Sequence, residues 1–228
     1  MRNISVISDH GDLIERSFGA LRWATHSDFY SSKAIQVLAA AANASGERLK
    51  TLELEEGADW YDIEFEGELL ETVLGAMFVL WQTFLSTMIS ATKELGRHCD
   101  NELNLKLSLA QGKGKILRFG SPVLGKTGHT GPEVIDAFAN YFKHRDEWPG
   151  DWRLLDERSK LTAKVIKRCG AKDNSHENIR CGIKALGVKP PYKDFSAINT
   201  CLIDWVSEIE PQVRSEIIAV ARQYQGRL

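Results

Sequence analysis

The chain has 228 residues, 43% of them hydrophobic and 26% charged, with a formal net charge of -2. That is long enough to bury a core without disulfide or metal staples, and the balance excludes a disordered or low-complexity protein. The small net charge conceals a division: residues 1–96 carry 7 Lys+Arg against 15 Asp+Glu, residues 97–193 carry 19 against 11, and residues 194–228 carry 3 against 5. A basic middle of this kind attracts phosphate-rich ligands, or else pairs with the acidic part of the same chain or of a second copy.

Met1 to His10 reaches charge before any apolar run of secretory length, so the expectation is a soluble, cytoplasmic protein without a signal peptide. A first helix is expected from Ser31 to about Ala44, with Ser31 or Ser32 as its cap. Trp60 to Phe65 alternates in the manner of a short strand. The clearest helix runs from about Glu68 to Leu95, with no charge between Glu71 and Lys93. Its length would span a bilayer, with Lys93 and Arg97 as a cytoplasmic flank. Against that, Gln82, Thr83, Ser86, Thr87 and Ser90 alternate at helical spacing with Trp81, Phe84, Leu85, Met88 and Ile89, so the helix has two faces. A core or interface helix is therefore expected, with no membrane.

Further on, Leu103, Leu105, Leu107 and Leu109 alternate, and after Gln111 to Gly114 a second run, Lys115 to Phe119, completes an expected β-hairpin. Helices follow at Pro132 to about Glu147, Trp152 to Cys169, Ser175 to Leu186, Ser196 to Ile209 and Pro211 to Gln225. Pro149-Gly150 and Pro190-Pro191 mark turns. The expected fold is mainly α, a helical bundle with one or two small β-hairpin elements. Residues 1–66 form an acidic segment packing on a core of 67–228, or the whole chain 1–228 is a single domain.

Cys99, Cys169, Cys181 and Cys201 lack the paired short spacing of a zinc or redox motif and read as reduced thiols. Cys169, His176 and Cys181 make three potential metal ligands with no evident fourth, so neither a metal nor another cofactor is expected. Gly120-Ser-Pro-Val-Leu-Gly-Lys-Thr127 matches the spacing of a phosphate-binding P-loop, with Lys126 as its lysine. Gly128, Gly131 and Pro132 interrupt the place where the following helix must begin, so a glycine-rich connection competes with a nucleotide-binding reading.

The segment Pro132 to Trp148 carries the most chemistry. Drawn as a helix, it puts Val134, Ile135, Phe138 and Phe142 on a buried side. Asp136, Asn140 and His144 follow at four-residue intervals, with Lys143 and Glu147 beside them. An imidazole beside an amide, a cation and carboxylates can hold a phosphodiester and move a proton near neutral pH; the same stripe also serves as a solvated face with ion pairs along the helix. Tyr141, Trp148 and Trp152 either stack on unpaired bases or pack as core.

Asn140-Tyr-Phe-Lys-His144, late in a helix that follows a long apolar helix, resembles the signature of the HEPN superfamily of helical-bundle proteins. Many members are metal-independent RNases of toxin or antiviral systems, and the resemblance implies a dimer whose paired helices line an RNA cleft. It carries the polar and histidine positions of that signature to Asn140 and His144, while the arginine position is occupied by Ala139. It implies cleavage by attack of the ribose 2′-hydroxyl, with His144 as acid or base, Asn140 orienting it or binding phosphate, and Lys143 or Arg145 offsetting charge. Arg145, Lys126, Arg97 and Trp148 are the expected RNA contacts. An antitoxin-like partner is a further expectation, and a non-catalytic dimerisation or scaffold protein is the competing class.

Overall fold

The structure is a computed structural model and describes Gly19 and residues 33–225. Seven α-helices are found among the described residues: α1 (Lys33–Leu54), α2 (Trp60–Leu103), α3 (Lys113–Arg118), α4 (Gly131–His144), α5 (Glu157–Arg168), α6 (Asn178–Ala185) and α7 (Ser196–Gln225). The Ser31 or Ser32 cap expected for α1 lies outside the described residues. Among the described residues, one compact unit holds 33–83 and 122–201 and the other holds 84–121 and 202–225. Helices α2 and α7 contribute to both.

In the first unit, Leu70, Leu74, Met77, Phe78 and Trp81 of α2 are wholly buried, as is Phe138 of α4. Phe78 stacks on Phe138 with ring centroids 5.3 Å apart. Small residues allow this close approach: a methyl at Gly75 would overlap the Phe142 ring, and one at Gly182 would meet the Phe138 ring. In the second unit, Trp205 of α7 is wholly buried, and its indole Nε1–H donates to the Ile116 carbonyl of α3 at 2.9 Å. Helix α2 is long and apolar enough to cross a membrane by length and composition, while 56% of its apolar window is buried within the fold.

The mainly helical fold is as expected, but the β elements are absent from the described residues, where only a single antiparallel bridge, Val123 to Thr130, occurs. Trp60 to Phe65 is the start of α2, because the Asp59 carboxylate accepts the Tyr61 N–H at 2.9 Å and nucleates the first turn. Of the expected hairpin, one run becomes a connection. Leu105, Leu107 and Leu109 are buried there without a partner strand. The other run begins with a helical turn, α3, in which adjacent Ile116 and Leu117 are both buried, a helical rather than a strand pattern.

The two helices expected on either side of Glu210 are one. Pro211 lies inside α7, where it forfeits a backbone donor, and burial of Ile209, Val213 and Ile217 carries the helix across. The resemblance to a P-loop is confined to spacing, because α3 precedes the segment where a strand should enter. Gly125–Thr127 is a single 3-10 turn between glycines at positive φ, Gly120 (63°), Gly125 (44°) and Gly128 (73°). The loop closes on itself through the Leu124 N–H, which donates to the His129 carbonyl at 2.8 Å. What it delivers is a helix start: Thr130 and Glu133 form a reciprocal capping box for α4.

Candidate functional site

The capping box and Pro132 fix the entry of α4, and its buried side of Val134, Ile135, Phe138 and Ala139 fixes its rotation. The opposite side is therefore determined: Asp136, Asn140, Lys143 and His144 must face away from the apolar core. Three of these four meet one side chain that the sequence pattern places only on the polar face of α2. Gln82, 7% exposed, donates from Nε2 to Asp136 Oδ1 at 2.7 Å and to Asn140 Oδ1 at 2.9 Å. Its Oε1 accepts from Lys143 Nζ at 2.7 Å, and Asn140 Nδ2 lies 3.4 Å from Asp136 Oδ2. Most of the stripe is thus a network at the buried edge that locks α4 against α2.

His144 stands outside that network. Its imidazole side chain is 52% exposed, with Nδ1 3.2 Å from Glu147 Oε1. Placing the proton on Nδ1, so that it donates to Glu147, leaves Nε2 as a free acceptor. His144 and Asn140 line one open cleft of about 460 Å³ together with Glu147, Trp148, Asp156 and Arg158. Asp156 is engaged at the start of α5, where its carboxylate accepts the backbone N–H groups of Arg158 and Ser159. These bonds, with the Ser159 hydroxyl foremost, hold its carboxyl below the usual range. The cation that lines the cleft is Arg158, a residue that sequence reasoning misses because nothing local links position 158 to position 144.

The other expected contacts are dispersed. Arg145 lies with its guanidinium 5.0 Å from the centre of the Phe142 ring and lines a different cavity, of about 420 Å³, with Tyr141, Trp152 and His176. Trp148 borders both cavities. It joins Tyr141 and Trp152 in an edge-to-face cluster with centroids 5.1 to 5.7 Å apart, which ties it to the fold as well as to the cleft. Lys126 is exposed on the 3-10 turn before α4, and Arg97 is exposed in the second unit. Ala139, at the position where the HEPN signature has arginine, is wholly buried.

Beneath the second cavity, Glu71 of α2 is 3% exposed. Its carboxylate accepts the Ile179 N–H at 2.7 Å and the Arg180 N–H at 3.1 Å, supplying from another helix the cap that Glu177 does not give α6. Burial pushes the Glu71 carboxyl above its ordinary value, outweighing these amides and the Arg180 guanidinium. Burial likewise raises the Cys169 thiol to about 12 and the Cys181 thiol above its usual value. Among the described residues no group of three or more His, Cys, Asp and Glu is arranged to hold a metal ion. No protein-family model matches the chain, and neither a curated protein nor a solved structure matches it.

Proposed function

We propose that this protein binds single-stranded RNA in the cleft between the end of α4 and the start of α5, and that His144 cleaves it there. The observation that carries the reading is that Asn140 and His144, one turn apart, share an open cleft with Arg158 and Trp148. Trp148 offers an aromatic surface for an unpaired base, Arg158 a bidentate partner for a phosphate, and Asn140, pinned by Gln82, a fixed amide. With Nδ1 turned to Glu147, His144 Nε2 takes the proton from a ribose 2′-hydroxyl. The O2′–P bond forms and the P–O5′ bond breaks, leaving a 2′,3′-cyclic phosphate and a 5′-hydroxyl that takes its proton from water. In this reading the protein is a HEPN-like cytoplasmic factor of a toxin or antiviral defence system.

The test compares wild type with His144→Ala on mixed single-stranded RNA in the presence of chelator. Wild type is expected to give cyclic-phosphate ends, with a rate at least ~10²-fold above the variant, the usual contribution of a general base. Binding by both is expected to weaken log-linearly with salt as counterions are released. Absence of both cleavage and salt-dependent binding overturns the proposal. One observation favours a second reading, a non-catalytic RNA-binding or scaffold version: burial of Ala139 leaves Arg158 as the cation lining the cleft. Salt-dependent binding without cleavage selects RNA binding, and cleavage excludes the second reading.

A further inference from the structure

The first three turns of α2 carry large apolar side chains on the outside of the fold. Trp60 is 69% exposed, Tyr61 63%, Phe65 60% and Leu69 43%. Tyr61, Phe65 and Leu69 are spaced by four residues and form one stripe. At about 150–250 Å² per aromatic residue, the three rings alone leave roughly 300–450 Å² open, within the range of the largest apolar patch on a monomer, which is often functional. Exposed Asp62, Glu64 and Glu68 flank the stripe on both sides. Of the nine Asp and Glu of residues 53–71, a stretch with no Lys or Arg, seven are exposed, so a complementary occupant is apolar and basic.

The chain itself presents such a surface. Leu161 of α5 is 70% exposed, and residues 153–172 hold seven Lys and Arg against two Asp and Glu. On α5, Lys164 and Arg168 lie one and two turns from Leu161 on its side of the helix. Both are exposed, and neither has a carboxylate partner among the described residues, unlike Lys160, which pairs with Glu157, and Lys167, which pairs with Asp173. We infer that the acidic, aromatic stripe of α2 docks on the basic, leucine-bearing face of α5 in a second copy of the chain. The contact joins unlike surfaces, and the stripe alone cannot form a self-complementary interface because its own carboxylates would oppose one another.

That asymmetry gives a test independent of RNA. Two full-length variants, Glu64→Lys/Glu68→Lys and Lys164→Glu/Arg168→Glu, are compared with wild type by sedimentation velocity. Circular dichroism verifies folding, which is expected because all four positions are exposed. Wild type is expected to self-associate, more weakly as salt rises, and each variant alone to lose at least about tenfold in affinity through like-charge opposition. Mixed, the two variants are expected to form a 1:1 pair, since one retains the intact basic face and the other the intact acidic face. A monomeric wild type overturns the inference, and so does a mixture that stays monomeric. Loss of RNA binding in Lys164→Glu/Arg168→Glu with a monomeric wild type assigns the basic face to nucleic acid instead.

Discussion

Glu71→Ala isolates how far one side chain of the long helix holds a neighbouring helix in place. The substitution leaves the Ile179 and Arg180 amides without the carboxylate that now accepts both. The bond to Ile179 is buried, so its orphaned N–H costs on the order of 1–3 kcal/mol. The Arg180 amide is only part-buried and water can take over much of its bond, while the Arg180 side chain keeps Glu177 at 2.8 Å. Removing a carboxyl whose burial already opposes ionisation returns some of that free energy. The net loss is about 1–3 kcal/mol, and at roughly 2–4 °C per kcal/mol for a chain of this size the midpoint falls by roughly 2–12 °C. Thermal and urea unfolding followed by circular dichroism measure it, with exposed Glu68→Ala as the control expected to be neutral. If Glu71→Ala lies within about 0.5 kcal/mol of wild type, the carboxylate is not the cap of α6 and other contacts must hold that helix in place.

Glu71→Gln addresses pH. The raised native carboxyl means that the folded chain binds a proton more tightly than the unfolded one, so this group's contribution to stability declines as pH rises from the ordinary carboxylate range through the raised value. Urea midpoints measured across that window are expected to show a shallower decline in Glu71→Gln than in wild type. Thr130→Ala breaks the capping box of α4 and is expected to cost about 1 kcal/mol in the same unfolding assay. Gly75→Ala forces a methyl into the Phe142 ring and is expected to cost about 1–3 kcal/mol, with no compensation from the added helix propensity. A double-mutant cycle between Gln82→Leu and Asn140→Ala is expected to give a coupling of about 0.5–3 kcal/mol, whereas Gln82→Leu and His144→Ala are expected to be additive.

What could be read from the sequence was local in origin. Pro132 marks the start of α4, and the apolar spacing after it sets its buried side, so the stripe from Asp136 to His144 is visible without coordinates. The alternation of Leu105, Leu107 and Leu109 misleads because it records only that every second residue is buried. Packing against the rest of the second unit meets that requirement as well as a strand pair does. Pro211 misleads in the opposite sense, because a break rule weighs one lost donor and not the buried residues on either side of it. The roles of Gln82, Arg158 and Glu71 arise from contacts 54 or more residues apart in the first case, a shared cleft in the second and bonds 108 residues away in the third. None leaves a pattern in a window of one helix.

The stripe that looks like a single functional unit is two, and the physical difference between them is burial. Gln82, at 7% exposure, needs partners for its amide, and Asp136, Asn140 and Lys143 provide them; these residues would be held in place even if the protein bound nothing. His144, half exposed and one turn beyond Asn140, pairs with the exposed Glu147 carboxylate, and stability gives little reason for an imidazole at that position. Asn140 belongs to both halves, since it is fixed from within by Gln82 and borders the cleft that His144 lines. The proposed chemistry would therefore depend on a rigid amide set by the core and an exposed imidazole set by the helix end. Lys143, adjacent to His144 in sequence, is drawn to Gln82 Oε1, so in the proposed reading the charge-stabilising role falls to Arg158 on the facing helix.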